Sequence, residues 1–315
     1  MKPALAQNVG VDIAKDTLDV AILPAGESFR LANDPGGHRA LIKRLGRFEI
    51  SRIVFEATGA YHRLFERALA EAGLPFVKVN PRRARRFAEA TGKLAKTDRC
   101  DALMLARMGA ALELEPCLPA SKIAQSMKEL VSARDALVKD RVAALNRKAV
   151  ALDPLIKRQL AQRLRQIDRQ IQAIDNRLRT LRGSDPDLTL RVDILTSIPG
   201  FAEPTANTLV VEAPELGRLD NSQAGSLVGL APIASDSGQT NRRRSIRGGR
   251  PRARRALYMP ALSAIRFNPE FKAKYQAMIT AGKPPKVAIV AIMRKLFILA
   301  NALIRDGRKW SPKFA

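Results

Sequence analysis

The stretch NVGVDIAKDTLDVAIL, residues 8–23, decides the fold of the first third of the chain. Val9, Val11 and Ile13 alternate with Gly10 and Asp12, the period of a strand, so Asp12 faces away from the valines. A short turn at residues 14–16 leads to a second alternating run, Leu18, Val20 and Ile22, and the chain opens as a β-hairpin. Outward from it, Asp34-Pro35-Gly36-Gly37 reads as a turn that starts a helix through Leu41 and Leu45. Residues 51–55 are β-branched and apolar enough for a buried strand, which delivers Glu56 at its C-terminal end. A helix over 61–72, a strand over 75–79 and a further basic helix complete a mixed β/α unit spanning about 7–105.

The middle of the chain, roughly 121–183, changes period. Leu164, Ile167, Ile171, Ile174, Leu178 and Leu181 follow steps of three and four, an a/d seam. Apolar pairs at Leu130/Val131, Leu137/Val138 and Ala144/Leu145 recur one heptad apart, and Asp153-Pro154 between the halves suits a helix start. Two long helices follow, either folded back on each other or docked with another chain. Gly183-Ser184-Asp185-Pro186-Asp187 reads as a linker to a mostly helical third unit.

Composition narrows the partner. The 315 residues carry 55 Lys and Arg against 30 Asp and Glu, a formal net charge of +25, with 46% hydrophobic residues, enough for a sizeable core. Such a charge predicts salt-sensitive attraction to a polyanion. We read no apolar run of bilayer length, no lipidation motif and no signal-peptide core in MKPALAQNVG, so a soluble cytoplasmic protein without membrane attachment is expected. Two cysteines, Cys100 and Cys117, and two histidines, His38 and His62, exclude a zinc finger and a disulfide framework.

Against that cationic background four carboxylates stand in apolar settings. They are Asp12, Glu56, and the pair Asp98 and Asp101 in KTDRCDALMLARM, residues 96–108. Asp98 and Asp101 share a face if that segment is helical. A strand acid, a strand-end acid and a helical pair can converge on two metal ions about 3.5–4 Å apart, which stabilise both oxygens of a phosphoryl transfer. Mg²⁺, or Mn²⁺ in its place, suits such a hard-oxygen set. Any one of these acids alone more commonly caps a helix or pairs with an arginine; their order and number favour the metal.

Two basic clusters fit phosphate oxygens. Arg82, Arg83, Arg85 and Arg86 lie just before the acidic pair; Arg242, Arg243, Arg244, Arg247, Arg250, Arg252, Arg254 and Arg255 crowd a glycine-containing loop with no acid interspersed. Ile198-Pro199-Gly200-Phe201 is similar to the turn of a helix-hairpin-helix, though Ala202 replaces the usual second glycine, and a plain packing turn reads equally well. Ser237 in Ser235-Asp236-Ser237-Gly238 is by itself an ordinary turn residue. Its place directly before the arginines makes it a candidate nucleophile, with Ser235 and Ser245 as neighbouring hydroxyls.

With these motifs assembled, the chain resembles the insertion-sequence one-hundred-and-ten family, the DEDD-type transposases described as bridge-RNA-guided recombinases. VGVDIAK, FEATGAY and KTDRCDA resemble its N-terminal domain, with Asp12, Glu56, Asp98 and Asp101 on the four acidic positions. SIPGF and GLAP…SDSG…RRR…RRALY resemble its C-terminal domain, with Ser237 on the nucleophile. The resemblance implies α/β plus all-α architecture: an RNase H-like (RuvC-like) domain over 1–115, a coiled-coil linker over 116–184, and a helical transposase domain over 185–315. It further implies a tetramer built as a dimer of dimers, a composite centre of the acids, Mg²⁺ and Ser237, and a covalent 5′-phosphoserine link. Double-stranded donor and target DNA would be the substrates, and a structured noncoding guide RNA would carry the specificity. Such a protein is bacterial, cytoplasmic, and on the nucleoid when bound to DNA.

Three rival readings compete. A RuvC-like junction nuclease would use the acids and water, with Ser237 a bystander. An actin-like sugar kinase needs a second VGVDIAK-like half, which the sequence lacks. A nonenzymatic nucleic-acid binder would use only the basic helices.

Overall fold

The computed structural model describes residues 6–57, 59, 61–92, 98–116, 121–234 and 244–312, and the chain divides into two compact units, Met1–Pro119 and Ala120–Ala315.

The first unit opens with an antiparallel meander, β1 (Gln7–Ile13), β2 (Thr17–Leu23) and β3 (Glu27–Ala32). After α1 (Pro35–Leu45) the chain returns in β4 (Ile50–Glu56), parallel to β1; after α2 (His62–Glu71) it adds β5 (Phe76–Val79), parallel to β4. Helices α3 (Pro81–Ala90) and α4 (Asp98–Ala111) follow, and the sheet order is β3-β2-β1-β4-β5. Strand alternation assigns the two faces. Val9, Val11 and Ile13 join Ile53 and Phe55 against Leu41 and Leu45 of α1 and Phe65 and Leu69 of α2. Val54, Val77 and Val79 pack on the other face against Ala84, Met104, Leu105 and Met108 of α3 and α4. Each such fully buried Leu, Ile or Phe contributes about 1.5–3 kcal/mol, so both faces are firmly closed.

Strand β3 was not anticipated from the sequence. Its segment ESFRLA is an edge, partly exposed throughout, and its register is set by β2, where Asp19 pairs with Arg30. Helix starts follow local chemistry: Asp34 accepts from Gly37 N at 2.7 Å ahead of α1, and Asn80 accepts from Arg82 N at 2.9 Å ahead of α3, each with Pro in the first turn.

The second unit begins with two long helices, α5 (Lys122–Val150) and α6 (Pro154–Gly183). Arg134 pairs with Asp175 and Arg141 with Asp168, so seven residues forward on α5 match seven back on α6 and the pair folds back antiparallel. Leu164, Ile167 and Leu178 of the seam are buried, and Met127 and Val131 meet Leu178 at the base. The segment read as a linker is a tight turn instead, because Asp185 caps α7 (Pro186–Thr196) directly by accepting from Leu188 N.

Helices α8 (Glu203–Glu212) and α9 (Asn221–Leu227), the short strands β6 (Pro232–Ile233) and β7 (Ser245–Ile246), and α10 (Pro251–Ala256), α11 (Tyr258–Phe267), α12 (Pro269–Thr280) and α13 (Pro285–Arg305) complete the chain. The turn between α7 and α8 lies against α11, where a Cβ on Gly200 would stand 3.0 Å from Pro260 O; this close approach and a φ of +91° both favour glycine there. Helix α13 corrects one expectation: by length and a mean hydropathy of 2.1 it is apolar enough to cross a bilayer. Its Ile292, Leu296, Phe297 and Ala300 are instead the centre of this unit's core, and its buried Asn301 joins Gly217 N and Leu219 O.

Candidate active site

Register places the strand acids. Val11 pairs with Phe55 across the parallel β1–β4 ladder, so Asp12 and Glu56, one residue further on each strand, fall side by side on the opposite face from the Val11–Phe55 core. On its other flank Asp12 pairs with Asp19 of β2, which in turn pairs with Arg30 of β3. A row therefore crosses four strands: Arg30, Asp19, Asp12, Glu56. Like charges directly opposite one another destabilise a sheet. Asp19 is buried and answered by two-point hydrogen bonding from Arg30, at 2.9–3.1 Å. The sequence reading missed Asp19 and Arg30, although an Asp amid the alternation of β2 was the available signal.

Helix α4 lies over this row because β1 has a glycine under it. A Cβ on Gly10 would stand 1.9 Å from Ala102 O and 2.4 Å from Ala106 N. A Cβ on Gly109 would stand 2.7 Å from Val54 Cγ2, and Arg52 Nη1 donates to Gly109 O at 3.0 Å. Since Gly10 pairs with Val54 and Asn8 with Arg52, α4 runs back along the strands and its N-terminal turn lies toward the Asp12–Glu56 end. Asp98 opens that turn and Asp101 follows within it. The side chain of Asp98 lies outside the described residues. Among the described residues, no group of three or more His, Cys, Asp or Glu stands ready to hold a metal ion. The donor chemistry does suit one: carboxylates alone, two of them adjacent on one sheet face and a third on the helix above.

The turns beyond the two strand acids are tied together by Asn33. Its Nδ2 donates to Ala14 O at 2.8 Å, just past β1, and to Tyr61 O at 3.3 Å, beyond β4. Asn33 Oδ1 accepts from His38 Nε2 at 2.9 Å, and His38 is buried against Phe65. Burial pushes the His38 imidazole below its ordinary pKa, with Asp34 pulling weakly the other way.

The first basic cluster sits at the same sheet edge. Glu56 pairs with Val79 of β5, and α3 starts two residues later, carrying Arg82, Arg83, Arg85 and Arg86 exposed. Arg85 reaches Glu89 at 3.4 Å; the other three form no ion pair among the described residues.

In the second unit, Ser235, Ser237, Arg242 and Arg243 lie outside the described residues. The structure does describe what brackets them. Strands β6 and β7 pair antiparallel, Pro232 with Ile246 and Ile233 with Ser245, so the segment carrying Ser237 leaves and returns at one neck. Below the neck a Cβ on Gly249 would stand 2.2 Å from Gly229 N, and both glycines have positive φ, +62° and +67°. Arg254 Nη1 fastens this neck, donating to Gly248 O at 2.7 Å, Val228 O at 3.2 Å and Gly229 O at 3.4 Å. Arg250 binds Glu215 through both Nη atoms, at 2.5 and 2.6 Å, and Arg252 donates to Ser132 Oγ and reaches Glu212 at 3.5 Å. Burial raises the Glu215 carboxyl, but the Arg250 hydrogen bonds and charge outweigh it and leave the pKa lowered. Three arginines of the second cluster are thus engaged inside the unit, Arg250 and Arg252 by acids distant in sequence and Arg254 by backbone carbonyls. Arg244, Arg247 and Arg255 are exposed and form no ion pair among the described residues.

Both units match models of one family. A DEDD transposase model of the IS110 group, described as "Transposase", matches residues 9–156, and one described as "Transposase IS116/IS110/IS902 family" matches residues 192–276. The chain belongs to the IS110 family of transposases. The "Pilin gene-inverting protein" of Moraxella lacunata is similar to it, 28% identical over 97% of this chain and 98% of that protein. The protein of the same name from Moraxella bovis is 28% identical over the same shares. The "Insertion element IS110 uncharacterized 43.6 kDa protein" of Streptomyces coelicolor is 26% identical over 47% of this chain and 36% of that protein. The transposase is therefore an enzyme acting on DNA, and the sugar-kinase and nonenzymatic readings fall away. The two matches span the two acidic strands with α4 and the neck with its arginines.

Proposed function

We propose that this transposase recombines DNA through a serine intermediate, with Asp12, Glu56, Asp98 and Asp101 as metal ligands and Ser237 as nucleophile. The observation that carries the reading is the Asp12–Glu56 neighbourhood beneath the N-terminal turn of α4. We read the first unit as RNase H-like, supported by a three-stranded antiparallel meander extended on one side by two parallel strands. The carboxylates would hold Mg²⁺ or Mn²⁺, and a divalent ion bound there supplies charge neutralisation at a phosphate and lowers the pKa of a bound hydroxyl.

In the proposed step Ser237 Oγ attacks a DNA phosphorus while the bond to the 3′ oxygen breaks. The hydroxyl proton ends on the leaving 3′ oxygen, and a 5′-phosphoserine link stores the bond. Attack by another strand's 3′ hydroxyl reverses the step and rejoins DNA without ATP. Exposed arginines, Arg82, Arg83 and Arg86 in the first unit and Arg244, Arg247 and Arg255 in the second, would hold the phosphate backbones. The near full-length likeness to pilin gene-inverting proteins supports exchange between two DNA segments over hydrolysis. Guidance by a structured noncoding RNA and assembly as a tetramer rest on family membership alone.

The test is junction formation in cells. The gene with its native flanks and a target plasmid should give rejoined junctions that vanish in Asp12→Ala and Ser237→Ala. Junctions that persist in either variant would overturn the reading.

A further inference from the structure

Helix α6 carries a third basic surface that neither arginine cluster includes. At 100° per residue, Arg158, Gln162, Arg165, Arg169, Gln172 and Asn176 fall within about 40° of one line, opposite the seam of Leu164, Ile167 and Leu178. All six are exposed. The acids of α6 are already matched from α5, Asp168 by Arg141 at 2.7 Å and Asp175 by Arg134 at 2.6 Å. At the base, Arg179 and Arg182 share Glu203. Arg158, Arg165 and Arg169, by contrast, form no ion pair among the described residues.

An exposed helix ordinarily gains from acidic partners one turn away, and Arg165 and Arg169, four apart, oppose helix formation instead. The chain fills the remaining positions of the stripe with Gln and Asn, which donate hydrogen bonds without cancelling charge. A polyanion laid along the stripe removes that repulsion. From Arg158 to Arg169 the helix rises about 16 Å, and a duplex presents roughly one phosphate charge per 1.7 Å of axis.

We propose that this outer face of α6 is a phosphate-backbone contact for double-stranded DNA, the partner that family membership gives, read without regard to base sequence. The proposal rests on the nucleic-acid partner of the transposase but on none of its chemistry, so binding tests it without turnover.

The experiment measures anisotropy of a labelled 30-base-pair duplex of arbitrary sequence, once as DNA and once as RNA, against the full chain from 0.05 to 0.3 M salt. The triple variant Arg158→Gln, Arg165→Gln, Arg169→Gln keeps good helix formers, and its circular dichroism should match wild type. We expect affinity roughly tenfold weaker or more at 0.15 M salt, and a log–log salt slope shallower by about 2–3, on the DNA duplex. A loss confined to the RNA duplex would overturn the assignment to DNA. Arg179→Gln, which removes a charge held by Glu203, should leave the slope unchanged. An unchanged slope in the triple variant on the DNA duplex, or an Arg179→Gln effect of equal size per charge, would likewise overturn the assignment while leaving the recombinase standing. Failure of wild type to bind either duplex would sink both.

Discussion

Gly10 of β1 lies directly beneath Ala102 of α4: a Cβ at Gly10 would stand 1.9 Å from the Ala102 carbonyl oxygen. No rotamer relieves that clash, because the backbone of Gly10 fixes the Cβ position and the oxygen belongs to the backbone of Ala102. Gly10→Ala must lift α4 from the sheet or bend β1, and overpacking of this kind costs about 1–3 kcal/mol, or more where the backbone is the obstacle. We expect a lowered urea midpoint together with loss of recombination, since α4 carries Asp98 and Asp101 over Asp12 and Glu56. An unchanged midpoint would mean the helix is not seated there.

Asn33 ties the turn after Asp12 to the one after Glu56, so Asn33→Ala should lower recombination while removing no acid. Loss of its hydrogen bonds to Ala14 O, Tyr61 O and His38 costs about 1–3 kcal/mol. Junction yield measured beside the urea midpoint checks both effects.

His38 makes this unit sensitive to mild acid. Its folded pKa lies below the ordinary imidazole value of 6.5, chiefly through burial, so below about that pH the unfolded chain binds more protons than the folded one. Its contribution is therefore fully present above pH 6.5 and is lost as pH falls toward the lowered folded value. Wild type should lose more stability than His38→Gln between pH 7.5 and 5.5, read as the difference in urea midpoints.

The second arginine cluster should split in two by phenotype. Arg254→Ala abandons three backbone carbonyls at the neck of the Ser237 segment and should destabilise the chain by about 1–3 kcal/mol. Arg254→Lys should recover only part of this, lacking the fork. Arg247→Ala and Arg255→Ala should leave the melting temperature unchanged and weaken DNA binding with a shallower salt slope. Thermal melts and anisotropy on the same four variants separate the classes.

Much of the first unit was legible because alternation in residues 8–23 fixes which face Asp12 takes, and a strand ending at Glu56 fixes the second acid. Strand β3 was not, since ESFRLA forms by pairing with β2 and shows no buried face of its own. Asp19 escaped for a related reason: its significance lies in a cross-strand neighbour, Asp12, and in Arg30, which become visible only with register. The arginine run misled in the other direction. No acid interrupts it locally, yet Glu212 and Glu215 reach Arg252 and Arg250 from more than thirty residues away. The heptad seam announced two long helices but not their partner, because a/d spacing is the same whether a helix folds back or meets a second chain.

The central claim is a serine that becomes joined to DNA with the help of the four carboxylates. The transposase, expressed with its native flanks, is incubated with target plasmid in Mg²⁺, stopped in denaturant, and assayed for protein covalently bound to DNA. Wild type should give an adduct, and Ser237→Ala and Asp12→Ala should each abolish it. Free cut ends that survive Ser237→Ala but disappear in Asp12→Ala would contradict the account and leave a metal-dependent nuclease in its place.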